Sequence, residues 1–198
     1  RAFVVNAQKG MLDVIDLSDP AAPRHIGEIE TQRIRAGAEA NSVAVSNGIL
    51  AVAVQAPVKT DPGFVALYRA SDLSLLGHVD VGALPDMLTF TPDGKTLLVA
   101  NEGEPSLDYQ IDPEGSISII VVGNPATPTV RTADFKAWNG KGAELRPKGV
   151  RIAHHGVANF IESLARGYGP NRMNFSLGIN ALIALIVDSG GLGHRVHL

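Results

Sequence analysis

The 198-residue sequence contains no cysteine, which excludes disulfide bonds, thiolate catalysis and cysteine-ligated zinc. It also lacks an excess of basic charge, since the net charge is −3 and the isoelectric point is near 6.1. Nucleic-acid binding needs a positive field that neutralises phosphates, so we expect no nucleic-acid partner. The longest apolar run, residues 179–187, is far shorter than the ~20 residues that span a bilayer, and we predict no membrane span.

The composition that remains is that of an ordinary globular protein. Hydrophobic residues make up 45% of the chain and charged residues 19%, so we expect a buried core. The chain opens at Arg1, without an initiating Met or a signal peptide, directly inside a strand-like run. We therefore expect a fragment or a processed piece of a longer protein.

Short β-rich runs alternate with turn residues over the first three-quarters of the chain. Asn47-Gly48 and Asp93-Gly94 each separate two such runs, and glycine tolerates the positive φ that tight hairpins require. The same order of strand, loop, turn and strand recurs three times, and the two hairpin glycines lie about 46 residues apart. A period of about 40–50 residues with several short strands per unit is typical of a β-propeller.

These repeats predict a mainly β fold, a partial and open β-propeller of about three four-stranded blades over residues 1–153. A single β-sandwich is the alternative, because it also has strands at regular spacing. The propeller is favoured because the loop positions repeat together with the strands. Propellers close with about four to eight blades, so we expect the ring to stay open and its sheet edges to be available for self-association.

The last repeat contains an acidic loop with no Lys or Arg within it. Five carboxylates close in sequence repel one another unless a cation or water separates them. Hard cations bind about six to eight oxygen atoms, so we predict that calcium or another divalent cation binds here, with a plain solvated surface as the alternative. The spacing does not match an EF-hand loop. The candidate metal ligands are Asp86, Glu102, Glu104, Asp108, Asp112 and Glu114.

Three segments carry a more specific pattern: Leu84-Pro85-Asp86-Met87, Asn101-Glu102-Gly103-Glu104-Pro105 and Asp112-Pro113-Glu114-Gly115-Ser116. With these segments, residues 2–153 resemble the choice-of-anchor I family of bacterial secreted or surface-attached propellers, often labelled alkaline-phosphatase-like. The resemblance implies an extracellular or cell-surface location and attachment through a variable C-terminal anchor.

The resemblance ends where His154-His155-Gly156 leads into apolar residues at helical spacing. We therefore predict a boundary near residue 154 and a short helical tail over residues 154–198. Residues 157–198 show a weak resemblance to the end of bacterial CAP (SCP-like) domains, which are also extracellular.

Two functions are compatible with these observations. The first is binding or scaffolding at the cell surface, with an unidentified cell-surface or small-molecule ligand and a calcium-stabilised acidic loop. The second is a metal-dependent phosphatase or phosphoesterase of propeller architecture, in which carboxylate-bound cations polarise a phosphoryl oxygen. The sequence identifies no catalytic residue, because it has neither a Gly-x-Ser-x-Gly elbow nor a His-Glu-x-x-His motif.

Overall fold

The computed structural model of the protein describes residues 1–108 and 110–148. These residues form eleven β-strands in three antiparallel sheets, followed by short helical turns. In each sheet, strands that follow one another in sequence are also hydrogen-bonded neighbours. The threefold repeat predicted from the sequence is therefore confirmed.

The first sheet has three strands, β1 (Ala2–Asn6), β2 (Met11–Asp16) and β3 (Arg24–Ile29). The register between β2 and β3 shifts once, because Val14 pairs with Gly27 whereas Ile15 pairs with His25. Ile26 is left as the extra residue of a β-bulge.

The second sheet has four strands, β4 (Glu39–Ser46), β5 (Ile49–Gln55), β6 (Pro62–Arg69) and β7 (Leu75–Ala83). Asn47 and Gly48 join β4 to β5 with φ angles of 48° and 76°. Two consecutive positive φ angles match the twist of a two-residue hairpin, which confirms this predicted turn.

The third sheet has strands β8 (Pro85–Phe90), β9 (Thr96–Asn101), β10 (Ser116–Val121) and β11 (Thr129–Asp134). The Asp93-Gly94 turn lies between β8 and β9 as predicted, and Asp93 accepts a hydrogen bond from the Lys95 backbone. After β11 the chain forms 3₁₀ turns at Lys136–Trp138 and Arg146–Lys148 and the short helix α1 (Gly142–Leu145).

Equivalent glycines show which strands correspond in the three sheets. Gly10 and Gly115 directly precede β2 and β10, and Gly63 is the second residue of β6. This alignment matches β1 with β5 and β9, and β3 with β7 and β11. Within the described chain, the first sheet therefore has counterparts of the last three strands of the other sheets, so it is a three-stranded blade rather than the predicted four-stranded one.

Most of the core lies in two seams between successive sheets, and a smaller buried cluster on the third sheet contains Leu98, Ala100 and Ile117. The two inner strands of the second sheet, β5 and β6, are buried on both faces, so they are nearly continuous apolar runs instead of alternating ones. This arrangement of separate sheets packed side by side is an open β-propeller segment, as predicted, and not a two-layered sandwich. The first seam contains Leu12, Val14, Leu50, Val52, Val54, Phe64 and Tyr68. The second contains Ala51, Val65, Leu67, Leu88, Leu97, Val99 and Ile120.

The predicted boundary near residue 154 and the predicted helical tail over residues 154–198 lie outside the described residues. Among the helices that the structure does describe, none has the length and apolar character needed to cross a membrane.

Candidate functional site

One end of the three sheets carries the acidic loop and its counterparts in the other two sheets, and we call it the loop end. It comprises residues 7–10, 56–61 and 102–115, which join equivalent strand pairs in the three sheets. The connections between sheets, residues 30–38 and Leu84, reach the same end because the strands are antiparallel. Hydrogen bonds link neighbouring sheets here, as where the Ala40 N–H donates to the Gly10 carbonyl at 3.0 Å.

A partly buried polar network lies at the base of the loop end. The Asn41 Nδ2 donates to Gln55 Oε1 at 3.1 Å and to the Pro85 carbonyl at 3.0 Å. The Gln55 Nε2 donates in turn to Glu39 Oε2 at 3.0 Å. These residues were not predicted as part of a site, because their only sequence signal is a polar side chain near the end of an apolar strand.

The acidic loop, residues 102–115, is fixed where it begins. The Glu102 N–H donates to the Leu84 carbonyl at 2.9 Å, and the Gly103 N–H donates to the Ala83 carbonyl at 3.1 Å. Gly103 has a φ of 64°, and a Cβ there would lie 2.7 Å from the Glu114 carbonyl carbon. The two ends of the loop therefore touch at a position that requires glycine.

A compact turn occupies the middle of the acidic loop. The Ser106 N–H donates to the Ile111 carbonyl at 2.8 Å, and the Ile111 N–H donates to Ser106 Oγ at 3.0 Å. The Ser106 hydroxyl donates to Asp108 Oδ1 at 2.6 Å. Asp108 therefore serves the turn itself as a hydrogen-bond acceptor.

The predicted metal ligands lie at the loop end but in different surroundings. Asp86, on β8, and Glu102 and Asp112, in the acidic loop, are partly buried, whereas Asp108 is exposed. Glu104 lies 4.0 Å from Lys59 Nζ, in the equivalent loop of the second sheet. Glu114 accepts a hydrogen bond from Asn139 Nδ2 at 3.2 Å and lies 3.9 Å from Lys136 Nζ.

Three side chains on the first sheet have potential metal-ligand atoms that lie closer together than those of the predicted carboxylates. Asp13, His25 and Glu28 on the first sheet place one ligand atom each within 4.8 Å of one another. None of the six predicted ligands belongs to such a group within residues 1–108 and 110–148. The structure thus places the predicted ligands on one surface without gathering them around one point.

One hydrogen-bond contact and one ion pair involve the side chains of Asp13, His25 and Glu28. The Asp13 Oδ1 lies 3.1 Å from His25 Nε2, and Glu28 Oε1 accepts a hydrogen bond from Lys9 Nζ at 2.7 Å. Asn6 donates to Asp13 Oδ2 at 2.9 Å, and this hydrogen bond is the main cause that lowers the pKa of Asp13. The hydrogen bond to Glu28 raises the pKa of Lys9. No sequence signal indicated this group, because its formation depends on the β-bulge.

Comparison with solved structures finds a protein from Lactobacillus plantarum whose crystal structure is known. The two share 15% sequence identity at a TM-score of 0.39, over 68% of this chain and 54% of that one. The present chain thus spans about half the length of that protein. No curated protein matches the sequence.

The family model of the choice-of-anchor I domain matches residues 1–182, which confirms the predicted family and extends past the predicted boundary near residue 154. That boundary itself stays a prediction. Since the match covers most of the 198 residues, the chain belongs to the choice-of-anchor I domain family.

Proposed function

We propose that this chain is a binding module at the cell surface or outside the cell, that its loop end contacts the ligand, and that calcium or another divalent cation organises the acidic loop. Membership in the choice-of-anchor I family supports the location. The ligand in this proposal is a cell-surface component or a small molecule.

The observation that carries the proposal is the negative charge of one anchored loop. Residues 102–115 contain five carboxylates and no Lys or Arg. Lys59 and Lys136 approach two of them at 4.0 and 3.9 Å, and exposed pairs at such distances contribute little stability. A divalent cation reduces the repulsion among the carboxylates more effectively, since oxygen-rich loops with Gly and Pro suit calcium.

The position of the acidic loop connects cation binding to ligand binding. Its first residues are bonded to Ala83 and Leu84, beside the Asn41, Gln55 and Pro85 network. Glu104 also reaches toward the loop of the second sheet. A cation that orders residues 102–115 therefore orders the surface that two neighbouring sheets share, and a ligand meets a preformed surface.

Thermal unfolding with and without calcium tests the proposal. We expect calcium at about 100 times its dissociation constant to raise Tm by about 5–10 °C, since such binding stabilises by ~2.7 kcal/mol. The double variant Glu102→Gln/Asp112→Asn should lose this shift. The control Glu30→Gln, which removes a carboxylate paired with Arg33 on another connection, should keep it. An unchanged Tm of the parent protein, or equal shifts in both variants, would contradict the proposal.

Self-association through the sheet edges is a further part of the proposal. The outer strands β3, β7 and β11 each have one neighbour in their sheets, so one edge of each has backbone groups outside the ladder. Light scattering coupled to size-exclusion chromatography should show a mass that rises with protein concentration. A constant monomer mass at all protein concentrations would contradict the proposed self-association.

A further inference from the structure

We propose that the first sheet carries a second metal site, formed by Asp13, His25 and Glu28, which binds a transition-metal ion of the Zn²⁺ type. Their ligand atoms lie within 4.8 Å of one another, on adjacent strands β2 and β3. The site is independent of the acidic loop, which belongs to the third sheet.

The β-bulge is what brings the histidine to the two acids. Asp13 pairs directly with Glu28, so their side chains share one face of the sheet. In a regular strand, His25 and Glu28 would point to opposite faces because they are three residues apart. The extra residue Ile26 restores His25 to the face of Asp13, where its Nε2 lies 3.1 Å from Asp13 Oδ1.

A hydrogen bond from the next strand orients the central carboxylate. Asn6 on β1 donates to Asp13 Oδ2, which leaves Oδ1 directed at His25. Such outer partners fix the orientation of ligands in metal sites. Two neighbouring strands therefore support the position of one carboxylate.

Comparison of the three sheets shows that packing does not require an acid at this position. Asp13 is the third residue after Gly10, and the corresponding third residues after Gly63 and Gly115 are Ala66 and Ser118. Both counterparts are fully buried. Only the first sheet has the acid, on its outward face, together with His25 and Glu28.

The chemistry of the three ligands selects the metal. One imidazole and two carboxylates suit Zn²⁺ and similar divalent ions, whereas calcium and magnesium prefer sites made of oxygen alone. Lys9 holds Glu28 Oε1 at 2.7 Å and is the competing cation at this position. Metal binding must displace this ammonium group, so its removal should strengthen binding.

Calorimetric titration of the whole chain with Zn²⁺ near pH 7.5 tests the inference. We expect His25→Gln to weaken binding at this site at least about tenfold, and Lys9→Met to strengthen it by up to about fivefold, the scale of an exposed ion pair. The control variant His78→Gln removes a histidine of the second sheet that contacts Phe64. It should leave the zinc affinity of the first-sheet site unchanged. The gain in Lys9→Met cannot come from unfolding, so it separates metal binding from a structural role.

The inference is overturned if the parent chain and His25→Gln give the same zinc isotherm, or if Lys9→Met fails to bind more tightly. Calcium-dependent melting of His25→Gln should remain as in the parent chain. A loss of that melting shift would place both cations at one site and would also contradict the inference.

Discussion

The Asn41 carboxamide on β4 donates a 3.0 Å hydrogen bond to the Pro85 carbonyl on β8. It joins the first strands of two successive sheets at the loop end, one residue before Asp86. The packing of the sheets at the apolar seams therefore also sets the distance between the loops at the loop end.

Phe64 anchors the first seam, and its removal should be costly. The side chain is fully buried, the Arg35 guanidinium lies 4.9 Å from the ring centroid, and His78 meets the ring edge. We expect Phe64→Ala to lower the free energy of unfolding by about 3–5 kcal/mol, measured by urea denaturation. Val45→Ala, at a half-exposed position, should change it by less than about 0.5 kcal/mol. Equal losses in the two variants would contradict the assigned seam.

Gly63 is required by close packing and not by its backbone angle. A Cβ at this position would lie 2.5 Å from the Val54 carbonyl oxygen and from Pro85 Cδ of the next sheet. We expect Gly63→Ala to destabilise the protein by about 1–3 kcal/mol in urea denaturation. Gly123→Ala is the matched control, because a Cβ there meets no atom within 4 Å. A neutral Gly63→Ala would show that β6 and Pro85 are farther apart than described.

Acid should weaken the protein in a defined range of pH. Hydrogen bonds from the Ser18 backbone and from Arg24 lower the pKa of Asp16 to about 2, and hydrogen bonds from Ser74 and then Arg69 lower that of Asp72 to about 2. Because both folded values lie below those of the unfolded chain, the stabilisation is present above about pH 4 and is lost as pH falls toward 2.

Urea midpoints measured between pH 5 and pH 2.5 check this expectation. The double variant Asp16→Asn/Asp72→Asn should show a smaller fall in midpoint across this range than the parent protein. The assignment to these two carboxyls fails if both proteins lose the same amount.

Alkaline destabilisation should depend on Tyr68. Burial in the first seam raises the pKa of its phenol to about 12. The folded state therefore keeps a proton that the unfolded chain releases near pH 10, and stability should fall as pH rises from about 10 to 12. Urea denaturation of Tyr68→Phe should show a smaller loss of stability between about pH 10 and pH 12 than the parent protein shows. If the two proteins lose the same stability over this range, groups other than Tyr68 cause the loss.

The strands and hairpins were predictable because their signals are local. Asn47-Gly48 was assigned as a hairpin from turn chemistry alone, and its two positive φ angles confirm it. The seams also followed, since the repeated apolar runs must be buried against one another. Features that depend only on residues close together in sequence, such as strands and tight turns, are therefore the ones that the sequence predicts well.

The site was less predictable, because it depends on residues distant in sequence. Nothing near Glu104 indicates that Lys59 approaches it, and nothing near Asp13 indicates His25 on the same face. The β-bulge at Ile26 places His25 on the same face as Asp13. A bulge depends on how two strands pair, and the alternation of polar and apolar residues along one strand does not reveal it. The acidic loop was predictable from the sequence, whereas the Asp13, His25 and Glu28 group was not.

The most direct test of the proposed cation site is a calcium titration followed by backbone amide resonances. We predict that the shifts concentrate in residues 102–115 and in their contacts around Ala83, Leu84 and Asp86, while the first sheet stays unchanged. Spectra that do not respond to calcium, or responses confined to other parts of the chain, would contradict the account.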